Sequence, residues 1–263
     1  MVHTHELVFA GSVLTKRYTS WGRGEHRREW AALRLIHRYQ PGLAPEPVSA
    51  RLDAVPPEIT MTVVPGEPLP GRPTAAQTAA LATAISTLWT VPVDGLDPPG
   101  DVLDFARRLT AGPRPAAGAT AAAYDAAVGW WDGPDPELLT TTPDRTVLGH
   151  RDPNLANYLW DGTRVRIVDL EDAAASDPAM ELAILVEHLS ARELDAEALC
   201  AHIEAHVDAH VEAHVDPVRL RAARRLWAMY WLRLLLPGGP AERRNPAGTA
   251  DAQACRLLAL LSS

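Results

Sequence analysis

The segment LGHRDPNLANYLW, residues 148–160, constrains the fold of this chain more than any other part of the sequence. The apolar residues at both of its ends are typical of buried strands, whereas its middle carries Asp152 and Asn157. The segment therefore predicts a polar loop, held by a strand at each end, that presents a carboxylate and a carboxamide five residues apart.

The dipeptide Asp161-Gly162 that follows is the strongest signal in the chain for a two-residue β-hairpin turn. We predict that the strands Asn157–Trp160 and Thr163–Leu170 flank this turn. In that register residue 169 faces residue 154, so Asp169 returns to the middle of the polar loop. The hairpin thus predicts that a second carboxylate lies beside the first.

The composition is that of a globular protein. The 263 residues are enough for one large domain or two lobes, and 47% hydrophobic and 22% charged residues argue against disorder. The net charge of −8 argues against a nucleic-acid partner and against an anionic membrane surface. Two cysteines, Cys200 and Cys255, are too few for a disulfide scaffold and too far apart for a zinc pattern.

We expect a cytoplasmic location. The first residues carry no basic run and lead into no long apolar stretch, as a signal peptide would require. The most apolar segment, Trp227–Leu236, contains Arg233 and is too short to span a bilayer.

The first 64 residues combine short β-prone runs with one helix. Leu7–Ala10 and Val13–Tyr18 flank Gly11-Ser12, which favours a tight turn. Apolar residues three apart predict a helix over residues 25–39. Two further strands are predicted at Val48–Leu52 and Ile59–Val64.

The rest of the chain is predicted to be a linker followed mainly by helices. The segment Val64–Gly71 is dense in proline and glycine, which is typical of a linker. Beyond it, helical periodicity predicts six helices, at residues 75–90, 101–110, 117–131, 178–190, 195–215 and 217–236. We therefore predict an α+β fold with a small β-rich lobe and a larger, mainly helical lobe that contains the inserted hairpin.

Two motifs resemble the aminoglycoside phosphotransferase and choline kinase group of small-molecule kinases, which have a protein-kinase-like fold. They are HRDPNLAN at residues 150–157 and IVDLE at residues 167–171, and the paired motif with its hairpin is fairly specific. Residues 176–183 resemble the segment that follows the metal-binding strand in this group, and residues 61–69 resemble its hinge. The resemblance covers most of residues 13–190.

The resemblance implies a division into an N-terminal nucleotide-binding lobe, residues 1–64, that ends in the hinge, and a C-terminal catalytic and substrate lobe, residues 65–263. A protein kinase fits less well, because Asp169-Leu170-Glu171 lacks the glycine that follows the metal-binding aspartate there, and no usable activation segment follows. The implied reaction is transfer of the γ-phosphate of ATP (or GTP), with Mg²⁺, to a hydroxyl of an aminoglycoside-, choline- or sugar-like small molecule.

The same resemblance implies roles for the polar residues. Asp152 accepts or orients the hydroxyl proton of the acceptor, and Asn157 and Asp169 supply oxygen ligands for Mg²⁺. His150 is expected to brace the loop rather than react. A plainer alternative is a turn rich in Asn and Asp whose side chains cap their own backbone, but it leaves the return of Asp169 unexplained.

Lys16 is the only lysine among the 25 Lys and Arg residues of the chain. The resemblance implies that its ammonium contacts the nucleotide phosphates, a task for which the arginine fork is not a conservative substitute. Its partner would be a glutamate of the following helix, Glu29, with Glu25 as the competing choice. Alternatively, Lys16 is an edge-strand lysine that guards against aggregation.

The hinge resemblance implies that main-chain groups of Thr62 and Val63 bind the adenine edge. The alternative is a plain strand that ends at Pro65, and the segment alone does not separate the two.

The chain departs from the group before Lys16, where only fifteen residues precede it. The group has three strands there and a glycine-bearing turn over the phosphates, whereas this chain offers only Gly11 close to Lys16. This departure leaves open an alternative function, a kinase-like nucleotide- or ligand-binding module with impaired catalysis.

Two further patterns favour ordinary structural roles. His202, His206, His210 and His214 recur every four residues, but each step turns about 40° around a helix, so the four do not converge on one metal ion. We expect a solvated helix face there rather than a zinc site. The aromatic residues Trp227, Tyr230 and Trp231 indicate a core face, although they belong to the lobe in which such kinases bind the acceptor.

Overall fold

The structure is a computed structural model that describes residues 5–98, 113–115, 117–210 and 215–263, with only the backbone described for 207–210. The predicted helix 101–110 lies outside the described residues, as does part of the histidine repeat. None of the described helices is long and apolar enough to cross a bilayer.

A four-stranded antiparallel sheet forms the first part of the chain. Its strands follow the order β1-β2-β4-β3, with β1 at Glu6–Ala10, β2 at Val13–Arg17, β3 at Pro47–Arg51 and β4 at Glu58–Thr62. Gly11 makes the turn between β1 and β2 with a φ of 62°, a conformation that glycine adopts without strain. The four predicted strands are confirmed to within two residues at each end.

The helix α1, Glu25–Tyr39, packs against this sheet and matches the predicted bounds. Glu29, Leu33 and Ile36 recur at three- and four-residue spacings, so they share one buried face of the helix. Because Glu29 is on that face, its carboxylate points towards the sheet and is buried rather than exposed to solvent.

The segment predicted as a linker is held against the hairpin. Its residues Glu67–Pro68 form a short strand, β5, that pairs antiparallel with Trp160 and Leu159. Gly66 has a φ of 131°, and a Cβ there would lie 3.0 Å from the Trp160 carbonyl group. A glycine at this position therefore permits the close approach of the two segments.

Four short strands build the predicted polar region: β6 at Val147–Gly149, β7 at Tyr158–Trp160, β8 at Val165–Ile167 and β9 at Ala174–Ser176. The strands β5, β7 and β8 form one sheet, and β6 pairs with β9.

The predicted two-residue turn was wrong. Trp160 pairs with Val165, so the loop has four residues, 161–164, and the register is shifted by two. The Asp161 carboxylate accepts N–H bonds from Thr163 at 2.9 Å and Arg164 at 3.0 Å, which stabilises the wider loop. A shift by two residues keeps every side chain on its face of the sheet, so Asp169 still returns to the polar loop.

Seven helices complete the described chain: α2 at Ala75–Leu88, α3 at Gly118–Trp131, α4 at Pro134–Thr140, α5 at Pro178–Glu187, α6 at Ala196–His210, α7 at Pro217–Leu235 and α8 at Thr249–Ser262. The sequence predicts all of these except α4, which is only seven residues long, and α8.

Two hydrophobic clusters form the core. The larger joins α1 and the first sheet to α2, the hairpin and α5, and the smaller lies between α3, α7 and α8. The buried Arg219 of α7 donates to Asp177, which caps the start of α5, and to the carbonyl oxygens of Leu138, Leu139 and Thr141. This residue fixes α5 against α4 and α7.

Candidate active site

A cleft of about 400 Å³ lies between the first sheet and the hairpin region. All of the predicted site residues line this cleft: Lys16, Glu29, Thr62, Val63, Asp152, Asn157 and Asp169. The structure therefore brings residues from distant parts of the chain to one cavity, which is large enough for a small-molecule ligand.

Lys16 lies at the deep end of the cleft, and only 5% of the residue is exposed. Its Nζ donates to Glu29 Oε2 at 2.8 Å, Asp169 Oδ1 at 2.5 Å and Glu171 Oε2 at 2.8 Å. Burial alone would lower the pKa of Lys16, but the three carboxylates raise it further than burial lowers it, so the ammonium stays charged. Lys16 is therefore a buried cation and not an edge-strand lysine.

The structure decides which of two glutamates, Glu29 or Glu25, is the partner of Lys16. Glu29 is buried beside Lys16 and also accepts a hydrogen bond from the Tyr18 hydroxyl. Glu25 instead accepts from the Arg23 guanidinium at 2.9 Å. The partner of Lys16 in α1 is Glu29.

His150 braces the polar loop. Its Nδ1 accepts the Asp152 N–H at 3.3 Å, and its Nε2 lies 3.0 Å from the Val168 carbonyl oxygen. These bonds assign the proton to Nε2, which then donates to Val168. The ring thus ties the loop to the residue that precedes Asp169.

Glu181 of α5 also holds this loop, through the backbone. The sequence did not predict this role. Its Oε2 accepts the N–H of His150 at 2.9 Å and that of Arg151 at 3.2 Å. A Cβ at Gly149 would collide with this carboxylate, so the approach requires a glycine there. The only available signal was its place in the segment 176–183.

The end of the loop is fixed by amide side chains. Asn157 Nδ2 donates to the Asp152 carbonyl oxygen at 2.9 Å, and its Oδ1 has no hydrogen-bond partner among the described residues. Asn154 caps its own turn by accepting the Ala156 N–H at 3.0 Å. The plainer, self-capping interpretation of the loop therefore describes Asn154 but leaves Asn157 Oδ1 available to a ligand.

The two aspartates of the cleft differ in pKa. Burial raises the pKa of Asp152, His150 opposes the rise, and the charge of Asp169 adds to it. Burial would also raise the pKa of Asp169, but Lys16, through its charge and its hydrogen bond, lowers it below the usual value. Divergent pKa values of neighbouring carboxyl groups are typical of sites where one acts as a base and the other as a fixed anion.

Backbone strain is concentrated at the same place. Arg151, with a φ of 64°, and Asp169, with a φ of 63°, are the two non-glycine residues with positive φ in the described chain. Each costs about 1–3 kcal/mol, and such residues cluster at functional sites.

A sequence family described as the phosphotransferase enzyme family matches residues 12–227. This chain belongs to that family.

Solved structures of the family's fold resemble the whole chain. A choline/ethanolamine kinase family protein from Mesorhizobium loti has a TM-score of 0.73 and 18% identity, covering 100% of this chain and 87% of that one. A choline kinase from Streptococcus pneumoniae has a TM-score of 0.65 and 15% identity, covering 100% and 90%. A spectinomycin phosphotransferase, solved with ADP and spectinomycin, has a TM-score of 0.58 and 14% identity, covering 98% and 89%. Among curated proteins, none matches the sequence.

These likenesses confirm the predicted protein-kinase-like α+β fold, with a small sheet-rich N-terminal region and a helical C-terminal part, and the predicted family.

The predicted hinge of this phosphotransferase family member has two of its amides already engaged. The Thr62 N–H donates to the Glu46 carbonyl oxygen at 3.0 Å, and the Val63 N–H donates to that of Ser12 at 2.9 Å. The Val64 N–H makes no hydrogen bond within the described residues and also borders the cleft. A ligand at this edge would therefore meet carbonyl oxygens and the Val64 amide.

Oxygen ligands for a divalent cation lie at the deep end of the cleft. The Asp169 side chain is 41% exposed, and with Asn157 Oδ1 it offers the carboxylate and amide oxygens that Mg²⁺ prefers. Carboxylate oxygens of Glu29, Asp169 and Glu171 also lie within 4.8 Å of one another, with the Lys16 ammonium bonded to all three. The donor set fits Mg²⁺ if Asp169 turns from Lys16 towards the cleft.

One aromatic residue of α7, Tyr230, is within electrostatic range of Asp152. Burial raises the pKa of Tyr230, the charges of Asp152 and Asp172 raise it further, and Arg23 opposes the rise. The Tyr230 ring makes edge contacts with Trp227, at 5.0 Å between centroids, and with Trp231, at 5.3 Å. The predicted core face of α7 thus also reaches the surroundings of Asp152.

Proposed function

We propose that this phosphotransferase family member is a small-molecule kinase, which uses ATP or GTP with Mg²⁺ to phosphorylate a hydroxyl group. One observation carries the proposal: a single cleft joins the buried Lys16–Glu29 ion pair to Asp169 and Asp152. Phosphoryl transfer needs a cation for the nucleotide phosphates, metal ligands and a group that orients the attacking hydroxyl, and these residues supply all three.

Each residue has a separate task in this proposal. Lys16 donates to the phosphate oxygens when a nucleotide enters, and Glu29 keeps the ammonium in place. Asp169 and Asn157 hold Mg²⁺, which offsets the charge of the phosphates when bound. Carbonyl oxygens of Thr62 and Val63, together with the Val64 N–H, bind the base edge.

Asp152 acts on the acceptor. Its raised pKa makes the carboxylate a stronger base than an ordinary aspartate, so it accepts the hydroxyl proton as the acceptor oxygen forms its bond to the γ-phosphorus. The nucleoside diphosphate is the leaving group. His150 and Glu181 fix the loop so that Asp152 stays in line with the phosphates.

We also propose that the lobes divide at the hinge, with residues 1–64 binding the nucleotide and residues 65–263 supplying the catalytic loop and the acceptor site. The cleft supports this division because its lining includes residues from both ranges.

The surroundings of Asp152 favour a cationic acceptor, such as a hydroxylated amine. Tyr230, whose ring packs edge-on against Trp227, is within electrostatic range of Asp152 and Asp172. Aromatic faces and carboxylates both attract a substituted ammonium group. Two of the similar structures are choline or choline/ethanolamine kinases, which agrees with this choice.

The test separates the two aspartates. Asp169→Asn removes a charge from the metal ligands, so Mg-ATP should bind more weakly and stabilise the fold less, as RT ln(1 + [L]/Kd) requires. Asp152→Asn keeps the shape of the side chain, so Mg-ATP binding should persist while turnover falls by roughly 10²–10⁴-fold. Thermal shift and ADP release, with a panel of amino alcohols and neutral sugars, measure both effects.

The alternative is a nucleotide- or ligand-binding module with impaired catalysis, which the position of the Gly11 turn at the hinge end of β2, away from Lys16, favours. Wild-type protein that binds Mg-ATP but releases ADP no faster than Asp152→Asn with every acceptor would support the module. If neither substitution changed binding or turnover, the kinase proposal would be wrong.

A further inference from the structure

His5 lies in the cleft although it precedes the first strand. Only 6% of the residue is exposed, and it lines the cavity together with Lys16 and Asp169. Its ring packs on Tyr18, with 4.7 Å between the centroids. A histidine at this position is therefore an internal group of the site and not part of a solvated terminus.

The hydrogen bonds fix which nitrogen of His5 carries the proton. The Thr19 N–H donates to Nδ1 at 3.1 Å, so Nδ1 is an acceptor and Nε2 carries the hydrogen of the neutral ring. Nε2 lies 2.8 Å from Glu171 Oε2, yet off the line that a hydrogen bond requires, and it has no hydrogen-bond partner among the described residues. A buried donor without a partner is costly, which indicates a missing acceptor.

Lys16 and His5 converge on the same oxygen. Lys16 Nζ also lies 2.8 Å from Glu171 Oε2, so an ammonium and an imidazole N–H are neighbours on one side of the cleft. An anion that entered beside Lys16 would reach the His5 donor as well. A phosphate group, with several acceptor oxygens, would satisfy both donors at once.

The Gly11 turn of the first hairpin lies far from Lys16 and His5. Within the described residues one hairpin precedes Lys16, and its Gly11 turn lies at the hinge end, because the Ser12 carbonyl oxygen accepts the Val63 N–H. That turn is therefore at the opposite end of β2 from the Lys16 contacts with Glu171. The amides of the Gly11 turn are therefore not placed to contact phosphates beside Lys16.

We propose that His5 is a phosphate-binding residue, whose Nε2–H donates to the nucleotide phosphates beside Lys16. This inference rests on the proposed nucleotide-dependent function. It adds a binding residue that lies outside both sequence motifs.

A structural role of His5 is the competing explanation, in which the ring only ties the start of β1 to Thr19. Two substitutions separate the roles. His5→Asn keeps an acceptor near the Nδ1 position but loses the donor at Nε2. His5→Gln keeps a donor near the Nε2 position but loses the Thr19 contact.

The experiment measures the Kd of Mg-ATP and of adenosine for both variants, with His37→Asn as a control because His37 is exposed on α1. His5→Asn should weaken Mg-ATP binding by roughly 10- to 100-fold, the usual effect of losing a hydrogen bond to a charged group. Adenosine, which has no phosphates, should bind unchanged. His5→Gln should retain most of the ATP affinity.

A measurement on the wild-type protein avoids dependence on the folding of the variants. With ¹⁵N-labelled histidine, the Nε2 resonance of His5 should move on addition of Mg-ATP and not of adenosine. An unmoved resonance, or His5→Asn with wild-type ATP affinity, would overturn the inference while leaving the proposed kinase intact. Wild-type protein that bound no nucleotide would instead remove the proposed function and this inference with it.

Discussion

Two charge clusters of opposite composition lie in different regions of the molecule, one between the first sheet and the hairpin region and the other among the last helices. In the Lys16 cluster one ammonium is surrounded by three carboxylates, those of Glu29, Asp169 and Glu171. In the Glu187 cluster one carboxylate is surrounded by three guanidinium groups, those of Arg192, Arg224 and Arg256. The first borders the cleft, and the second joins the end of α5 to α7 and α8.

The clusters differ in geometry and in access to solvent. The Glu187 side chain is 0% exposed, and Arg256 bonds both of its oxygens, at 2.5 and 3.0 Å. Such a two-point contact fixes the relative position of the helices. In the Lys16 cluster the cation is a single point charge, and Asp169 is 41% exposed towards the cleft. The comparison indicates that the Glu187 cluster is structural, whereas the Lys16 cluster can exchange a carboxylate for a ligand.

The largest expected effect is on the Glu187 cluster. Glu187→Gln removes the buried anion that three partly exposed arginines share, and it should destabilise the fold by about 3–5 kcal/mol. Urea unfolding measures this, with the exposed Glu193→Gln as the control. Loss of less than about 1 kcal/mol would mean that the arginines are hydrated and that the cluster is not structural.

The second prediction concerns how the stability of the fold depends on pH through His188, which follows Glu187 in the chain. Burial lowers the pKa of His188 to about 4, with smaller contributions from Arg192 and His150. Because the unfolded chain binds the proton at the ordinary pKa of 6.5, this stability is present above pH 6.5 and is lost as the pH falls towards 4. The loss should reach up to about 3 kcal/mol.

The free energy of unfolding, measured between pH 7 and pH 4, tests this prediction. It should fall less steeply with decreasing pH in His188→Asn than in the wild-type protein. Asn keeps an acceptor for the Ser190 N–H, which donates to His188 Nδ1 at 3.1 Å. The Lys16 cluster should act only at lower pH, since the pKa of Asp169 is lowered below 3.8 and its protonation comes later. An unchanged slope in His188→Asn would contradict the first assignment.

The smallest expected effect is on the stability of the Lys16 cluster. Lys16→Met should cost about 1–2 kcal/mol, less than a buried unpaired charge normally does, because Asp169 can turn towards solvent. Mg²⁺ alone should restore part of the loss, since the three carboxylate oxygens lie within 4.8 Å of one another. ATP affinity should also fall.

Thermal shift with and without Mg²⁺ measures this recovery, and Glu187→Gln is the contrasting variant, because a cation cannot replace its missing anion. Equal recovery of both variants by Mg²⁺ would end the distinction between an exchangeable and a fixed cluster.

Local patterns determined much of the fold. The strands β1–β4 and the helix α1 depend on two- and 3.6-residue periodicities, which act over a few neighbouring residues, and the sequence predicts them to within two residues. The hairpin turn shows the limit of such patterns. Asp161-Gly162 favours a two-residue turn, but the Asp161 carboxylate stabilises a four-residue loop by bonding to later amides.

The predicted site residues line one cleft, while their roles in the reaction stay predictions. The sequence missed Glu171 as a contact of Lys16, Glu181 as the support of the loop, and His5 as a group in the cleft. Each of these depends on a contact between segments that are distant in the chain, and the motifs that contain Glu171 and Glu181 do not show which groups those residues contact.

By itself, the sequence determined most of the helices and strands, the family motifs and the set of candidate site residues. The tertiary structure decided which partners they take: Lys16 pairs with Glu29 rather than Glu25, and it reaches Asp169 across 153 residues of chain. Local propensity acts over one or two turns of chain. Contacts over such separations depend on how sheet, hairpin and helices pack, and packing is a property of the whole molecule.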